Sequence, residues 1–195
     1  MASSPVQTSF YSRDELLALG FAAIGESVQI SRKASFYGIG RIALGSHVRI
    51  DDFCVLSAGE GGIAIGSYVH IAVYTSLIGA GRIEVQDFCN LSSRVSVYSS
   101  NDDYSGASLT NPTIPEAFSH VSHAPVTLGR HTIIGSGSVV LPGVVCGEGA
   151  AIGSLSLVNR DCDAFMIYAG VPARPVKARS RELLNEERRL LASLG

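Results

Sequence analysis

From Leu44 onward the chain repeats itself every six residues, and so short a period leaves few folds open to it. Each unit begins on an aliphatic side chain, often continues with Gly, Ala or Asp, and carries a small or short side chain four places on. The pattern runs through Leu44-Gly-Ser-His-Val-Arg49, Ile50-Asp-Asp-Phe-Cys-Val55, Ile65-Gly-Ser-Tyr-Val-His70, Ile71-Ala-Val-Tyr-Thr-Ser76, Val85-Gln-Asp-Phe-Cys-Asn90 and Leu91-Ser-Ser-Arg-Val-Ser96. After an interruption it resumes at Leu128, Ile134, Val140, Cys146, Ile152 and Val158. A unit this short buries its apolar side chain only by stacking on its neighbours, which is the signature of a solenoid. Three units make one triangular coil, each a short strand plus a corner, and parallel strands of successive coils form the walls. First-place Leu, Ile and Val are expected to fill the prism and Thr132, Ser138, Ala150 and Ser156 to fit the crowded corners. Gly129, Gly135, Gly147 and Gly153 are expected to relieve the backbone where it turns. A β-sandwich would need irregular strand lengths and hairpin dipeptides such as Asn-Gly, which the sequence lacks.

The 195 residues fit one domain, and 46% hydrophobic residues can fill a core. Only 16% are charged, a share that suits flat walls covered by other subunits. A net charge of -2 supplies no field for nucleic acid or anionic lipid, and neither partner is expected. Gly, Ser and charged residues interrupt every unit, so no membrane span is expected, and Met1-Ala-Ser-Ser-Pro5 lacks the order of a secretory signal. Cys54, Cys89, Cys146 and Cys162 form no C-x-x-C pair and fall on first or fifth places of the unit. They read as buried thiols acting as small hydrophobes, in a reducing cytoplasm.

Three parts are expected along the chain. Residues 1–23 form a helical cap, in which Ser12 is the N-cap and Gly20 the stop. Residues 24–178 form the solenoid, with small corner insertions at 58–62 and 79–81 and a long excursion over 98–125. Such an excursion costs ordering entropy that the repeat does not need, and it marks a functional loop. Residues 179–195 form a C-terminal amphipathic helix suited to packing on a neighbouring subunit.

Two stretches carry a more specific signal than the repeat. Val126-Thr-Leu-Gly-Arg-His-Thr-Ile-Ile-Gly-Ser-Gly-Ser-Val-Val-Leu-Pro-Gly-Val-Val145 joins an isoleucine-glycine step to a proline-glycine turn, and Tyr168-Ala-Gly-Val-Pro-Ala-Arg-Pro-Val-Lys177 closes the solenoid. With the hexads, they resemble the hexapeptide-repeat acyltransferases, which include galactoside, maltose and lipopolysaccharide-sugar O-acetyltransferases. The resemblance implies a left-handed parallel β-helix, a homotrimer, and acetyl-CoA lying in the groove between adjacent prisms. By position, Gly135, Ser136, Gly153 and Ser154 would then offer backbone groups to the pantetheine arm. Arg160, Arg174 and Lys177 become candidates for the nucleotide phosphates, the other reading of each being solvated surface charge.

Acetyl transfer from a thioester needs a base for the attacking group and a donor for the tetrahedral oxyanion. Related sugar acetyltransferases use a histidine on the excursion; in this chain that position is Asp102, and their substrate-binding asparagine falls at Ala72. Three readings of the base stand. Asp102 or Asp103 could serve if partly buried. His70, projecting outward and oriented by one of these aspartates, is preferred, because an imidazole titrates near neutrality without tuning. His123, near the return into the prism, is the third. Tyr98, Asn101 and Tyr104 flank the acids and would suit a sugar, although Asn and Asp are also ordinary turn residues.

The expected activity is acetyl-CoA-dependent O-acetylation of a sugar for a cell-surface polysaccharide. The alternative is N-acetylation of a nucleotide-linked amino sugar, whose amine needs less help from a base once its proton has gone. Two other classes share the coil: a zinc carbonic anhydrase with three histidine ligands, and a non-catalytic scaffold. The histidines here include no pair with the anhydrase spacing, and no metal is expected.

Overall fold

A computed structural model describes residues 9–194. It shows a left-handed parallel β-helix of about 7 turns with two short helices. Three parallel walls enclose one core. The first stacks Ala23–Ile24, Ile42–Leu44, Ile63–Ile65, Ile83–Val85, Val126–Leu128 and Val145–Cys146. The second runs from Gln29–Ile30 through Arg49–Ile50, His70–Ile71, Asn90–Leu91, Ile133–Ile134 and Ala151–Ile152 to Met166–Ala169, where Arg174–Ala178 adds an antiparallel edge. The third contains Val55–Ala58, Ser76–Gly79, Ser96–Tyr98, Val139–Val140 and Leu157–Val158, with Ser35–Tyr37 at one end.

The six-residue period survives intact as packing. First-place side chains such as Leu56, Ile71, Leu91, Ile134 and Val140 are fully buried, and so are the fifth-place Thr75, Thr132 and Ser138. Each hydroxyl bonds a backbone carbonyl, Thr132 to Gly147 and Ser138 to Gly153, so burial leaves no polar atom unmatched there. Leu16 of helix α1 (Arg13–Ala18) joins the same core; Ser12 and Glu15 cap the helix reciprocally. The part of the expected cap before residue 9 lies outside the described residues.

The second-place glycines avoid a side-chain clash, as expected, but the left-handed turn itself falls elsewhere. The corner residue with left-handed backbone is the fourth of the unit, and the second-place glycines do not adopt positive φ. His47, Tyr68, Phe88 and His131 occupy that fourth place in successive coils at φ of 57°, 58°, 60° and 61°. Such a conformation costs a non-glycine residue about 1–2 kcal/mol. Their rings stack at centroid spacings of 4.6, 4.9 and 5.0 Å, and each aromatic pair returns about 0.5–1.5 kcal/mol beyond its burial. Gly135 is needed for a different reason, the close approach of the next coil: an added Cβ would lie 2.4 Å from the Ser154 amide nitrogen. Replacing Gly135 with Ala is expected to destabilise the protein by about 1–3 kcal/mol in denaturant unfolding, the usual cost of overpacking.

Helix α2 (Leu183–Leu194) is held to the aromatic corner by charge more than by apolar burial. Leu183 and Leu184 are only half-buried, while Leu190, Leu191 and Leu194 are exposed. The Glu187 carboxylate accepts hydrogen bonds from Arg130 and from His131 Nε2, the latter at 2.8 Å, and the Glu187 and His131 side chains are each 8% exposed. Burial pushes the Glu187 carboxyl up, but the bonds from His131 and Arg130 and their charge outweigh it, and the net pKa falls below the ordinary 4.5. The folded carboxyl therefore binds protons less readily than the unfolded one. Its contribution is present above pH 4.5 and is lost as pH falls through the lower folded value. Acidification through that range should release α2, seen as faster amide exchange over 183–194, and Glu187→Gln should remove the pH dependence.

Candidate active site

After Tyr98 the chain leaves the third wall and forms an antiparallel hairpin, Ser100–Asp102 against Val121–His123, with Ser100 opposite His123 and Asp102 opposite Val121. The Ser100 hydroxyl ties this hairpin to the prism: its oxygen accepts from the Ala80 N–H at 2.7 Å and lies 2.8 Å from His123 Nδ1. Between hairpin and wall is a hollow of about 330 Å³ lined by Tyr98, Ser100, Asn101, Asp102 and Tyr104 together with Val139 and Leu141. Asp102 is exposed and, among the described residues, its carboxylate has no hydrogen-bond or ion-pair partner. Asp103 differs. Its carboxylate accepts from the Ser105 N–H at 2.8 Å and from the N–H and hydroxyl of Ser108 at 3.1 and 2.8 Å. Those bonds, led by Ser105, hold it far below the usual carboxylate range, so it organises the loop and is a poor base.

His70 stands on the second wall, in one column with Arg49 and Asn90 of the adjacent coils. Its Nε2 lies 2.8 Å from Asp51 Oδ2 and its Nδ1 3.1 Å from Asn90 Oδ1. Whichever way the Asn90 amide is turned, both ring nitrogens have a protein partner. The orienting carboxylate is Asp51, and no loop aspartate bonds the ring. Burial raises the Asp51 carboxyl, while the His70 bond and the Arg49 bond at 2.7 Å more than offset it, so the net pKa is lowered. Asp51 and Asn90 were not singled out from the sequence, although reading the hexads as columns finds Asn90 directly above His70.

Tyr98, Asn101, Asp102 and Tyr104 thus converge on one hollow. His123 lines a second hollow of about 350 Å³ across the hairpin, with Glu116, Ser119 and His120. Gly135 with Ser136 and Gly153 with Ser154 stack one coil apart at a corner. The Gly135 and Gly153 N–H groups already donate at 2.8 Å to the Ile152 and Tyr168 carbonyls, and Ser136 and Ser154 are exposed. Arg160, Arg174 and Lys177 are exposed near the C-terminal end of the coil; Arg174 donates to the Ala173 carbonyl at 2.9 Å. Among the described residues no group of three or more His, Cys, Asp or Glu side chains could hold a metal ion, and no helix is long and apolar enough to cross a membrane.

No family model matches the chain. Over 173 residues, 89% of this chain and 90% of its relative, it is 54% identical to the dTDP-4-amino-4,6-dideoxy-D-glucose acyltransferase of Escherichia coli. The chain belongs to the hexapeptide-repeat acyltransferase family. Among solved structures it matches AntD, an N-acyltransferase from Bacillus cereus in complex with dTDP and 3-hydroxybutyryl-CoA, at TM-score 0.92 and 48% identity, covering 96% of this chain and 99% of that one. A maltose O-acetyltransferase from Clostridium difficile, at 18% identity and TM-score 0.59 over 87% of this chain and 75% of that one, shares the fold.

An acyltransferase can pass the acyl group through a cysteine, and the thiols here are poorly placed for it. All four are free and buried. Burial pushes the Cys54 thiol up to about 11 and the Cys89 thiol up to about 12, which leaves almost no thiolate at neutral pH. Native protein treated with iodoacetamide at pH 7.5 should show neither residue alkylated by peptide mass spectrometry, whereas unfolding should expose both.

Proposed function

We propose that this acyltransferase moves an acyl group from an acyl-CoA thioester to the 4-amino group of a dTDP-linked 4-amino-4,6-dideoxy sugar, with residues 24–178 as the acyltransferase unit. The identity with the dTDP-amino-sugar enzyme across 89% of the chain carries the reading. Structures of AntD hold dTDP-4-amino-4,6-dideoxyglucose with coenzyme A, and others replace an aspartate of that protein by asparagine or alanine. The bound amino sugar supports an amine acceptor over the polysaccharide hydroxyl that the repeat alone suggests. Acetyl-CoA is the co-substrate in this reading, supported by the complexes of AntD with coenzyme A and with 3-hydroxybutyryl-CoA. The proposed assembly is a homotrimer, its carrier slot lined by Ser136 and Ser154 and its phosphates met by Arg160, Arg174 or Lys177. Four free thiols fit a reducing cytoplasm.

The chemistry follows from the hollow beside Asp102. A protonated amine must lose a proton before it can attack, and an unpartnered carboxylate can hold a proton or orient the N–H bonds. The nitrogen then bonds to the thioester carbonyl carbon, and the tetrahedral oxyanion collapses as the C–S bond breaks. Of the two protons the nitrogen loses on becoming an amide, the first passes to solvent before attack and the second is taken by Asp102 as the tetrahedral adduct forms and then leaves with the thiolate. With both ring nitrogens occupied, His70 serves better as a wall-stiffening residue than as the base. Asp103 drops out for the reason given above.

Turnover should be followed by release of coenzyme A thiol with dTDP-4-amino-4,6-dideoxyglucose as acceptor. Asp102→Asn is expected to lower kcat/KM by about 10²–10⁴, the usual range for a lost proton-transfer group, and His70→Gln by less than about tenfold. Unchanged activity in Asp102→Asn removes Asp102 from the mechanism. No thiol release with any dTDP-linked amino sugar removes the proposal.

A further inference from the structure

The hollow under the hairpin has an apolar side that proton transfer does not require. Val140 points into the prism and is 0% exposed, so strand alternation turns Val139 and Leu141 outward. Val139 pairs with Ser96 and Val140 with Val97, a register that brings Tyr98 beside Leu141 on the outer face of the same wall. Val139, Leu141 and the Tyr98 ring therefore form an apolar patch within the hollow that Asp102 lines from the hairpin side.

In a hexopyranose the carbon that carries C6 is bonded to the carbon that carries the 4-amine. A sugar whose amine reaches Asp102 therefore places its C6 substituent in this hollow. A methyl there leaves water for contact with Val139 and Leu141, which is favourable. A hydroxymethyl directed at Val139 and Leu141 brings its hydroxyl against two side chains that offer no hydrogen-bond partner, the polar Ser100, Asn101 and Asp102 of the hollow belonging to the hairpin strand. We infer that Val139 and Leu141 are a specificity-determining pair that selects a 6-deoxy amino sugar over its 6-hydroxy counterpart. The inference rests on the acceptor class proposed above and assigns these two residues a role in it.

The test compares kcat/KM for dTDP-linked 4-amino sugars with and without the 6-hydroxyl, in the wild type, Leu141→Ser and the near-isosteric Val139→Thr, with thermal melts to check folding. The wild type should favour the 6-deoxy sugar by roughly a hundredfold, the discrimination an apolar pocket gives against an added hydroxyl, and at least one folded variant should narrow this below about tenfold. The same proteins are assayed with acetyl and four-carbon acyl thioesters, because the acyl group is the other apolar group that could reach the patch. An unchanged sugar preference in both variants overturns the inference alone, as does a change confined to acyl length. A wild type that turns over neither sugar overturns the acceptor reading and this inference with it.

Discussion

The structure depends on one contact repeated along its axis, the stacking of each six-residue unit on the unit one coil away. Neither the buried aliphatic residue nor the backbone of a unit is satisfied within that unit. Ile134, for instance, finds its strand partners in Leu91 on one side and Ile152 on the other. The walls are therefore columns of chemically similar positions, and any side chain that points outward does so beside its equivalents in the coils above and below. That geometry produces the aromatic ladder at one corner, and it also produces the Arg49, His70 and Asn90 column on the second wall.

The same columns explain what could be read from the sequence and what could not. The prism was legible because burial enforces the period: a polar residue at position 134 or 140 has no water to reach. Helix α1 was legible because Ser12 and Glu15 are three residues apart and cap each other. The left-handed corner position was missed, since a stack of His47, Tyr68, Phe88 and His131 meets the cost that glycine usually avoids, and stacking is a relation between coils that no single hexad displays. His70 stands out in the sequence as an outward imidazole, yet its two partners lie 19 and 20 positions away and are visible only once the coils are aligned. Asp102 and Asp103 are adjacent and chemically identical in the sequence. Two serines downstream separate them in the structure, leaving one carboxylate free and tying the other to the loop.

The acceptor class shows the limit of a repeat as a source of function. Hexads specify walls and slots, and these are shared by enzymes that act on hydroxyls and on amines. In the proposed site the distinction would fall to the few groups that a hairpin and one stretch of wall bring together in one hollow, Tyr98, Asp102, Val139 and Leu141, drawn from segments about 40 residues apart in the chain. Similarity to a dTDP-amino-sugar acyltransferase over 89% of the chain is the ground on which the amine acceptor is proposed.

The first wall carries a consequence of its own. Ile83, Glu84 and Val85 pair directly with Val126, Thr127 and Leu128, so the coil closes over the departure of residues 98–125 as though nothing had been inserted. A graft at this point leaves every rung of the ladder in place. A hairpin of another length or sequence could be carried here without unpairing a strand of the prism.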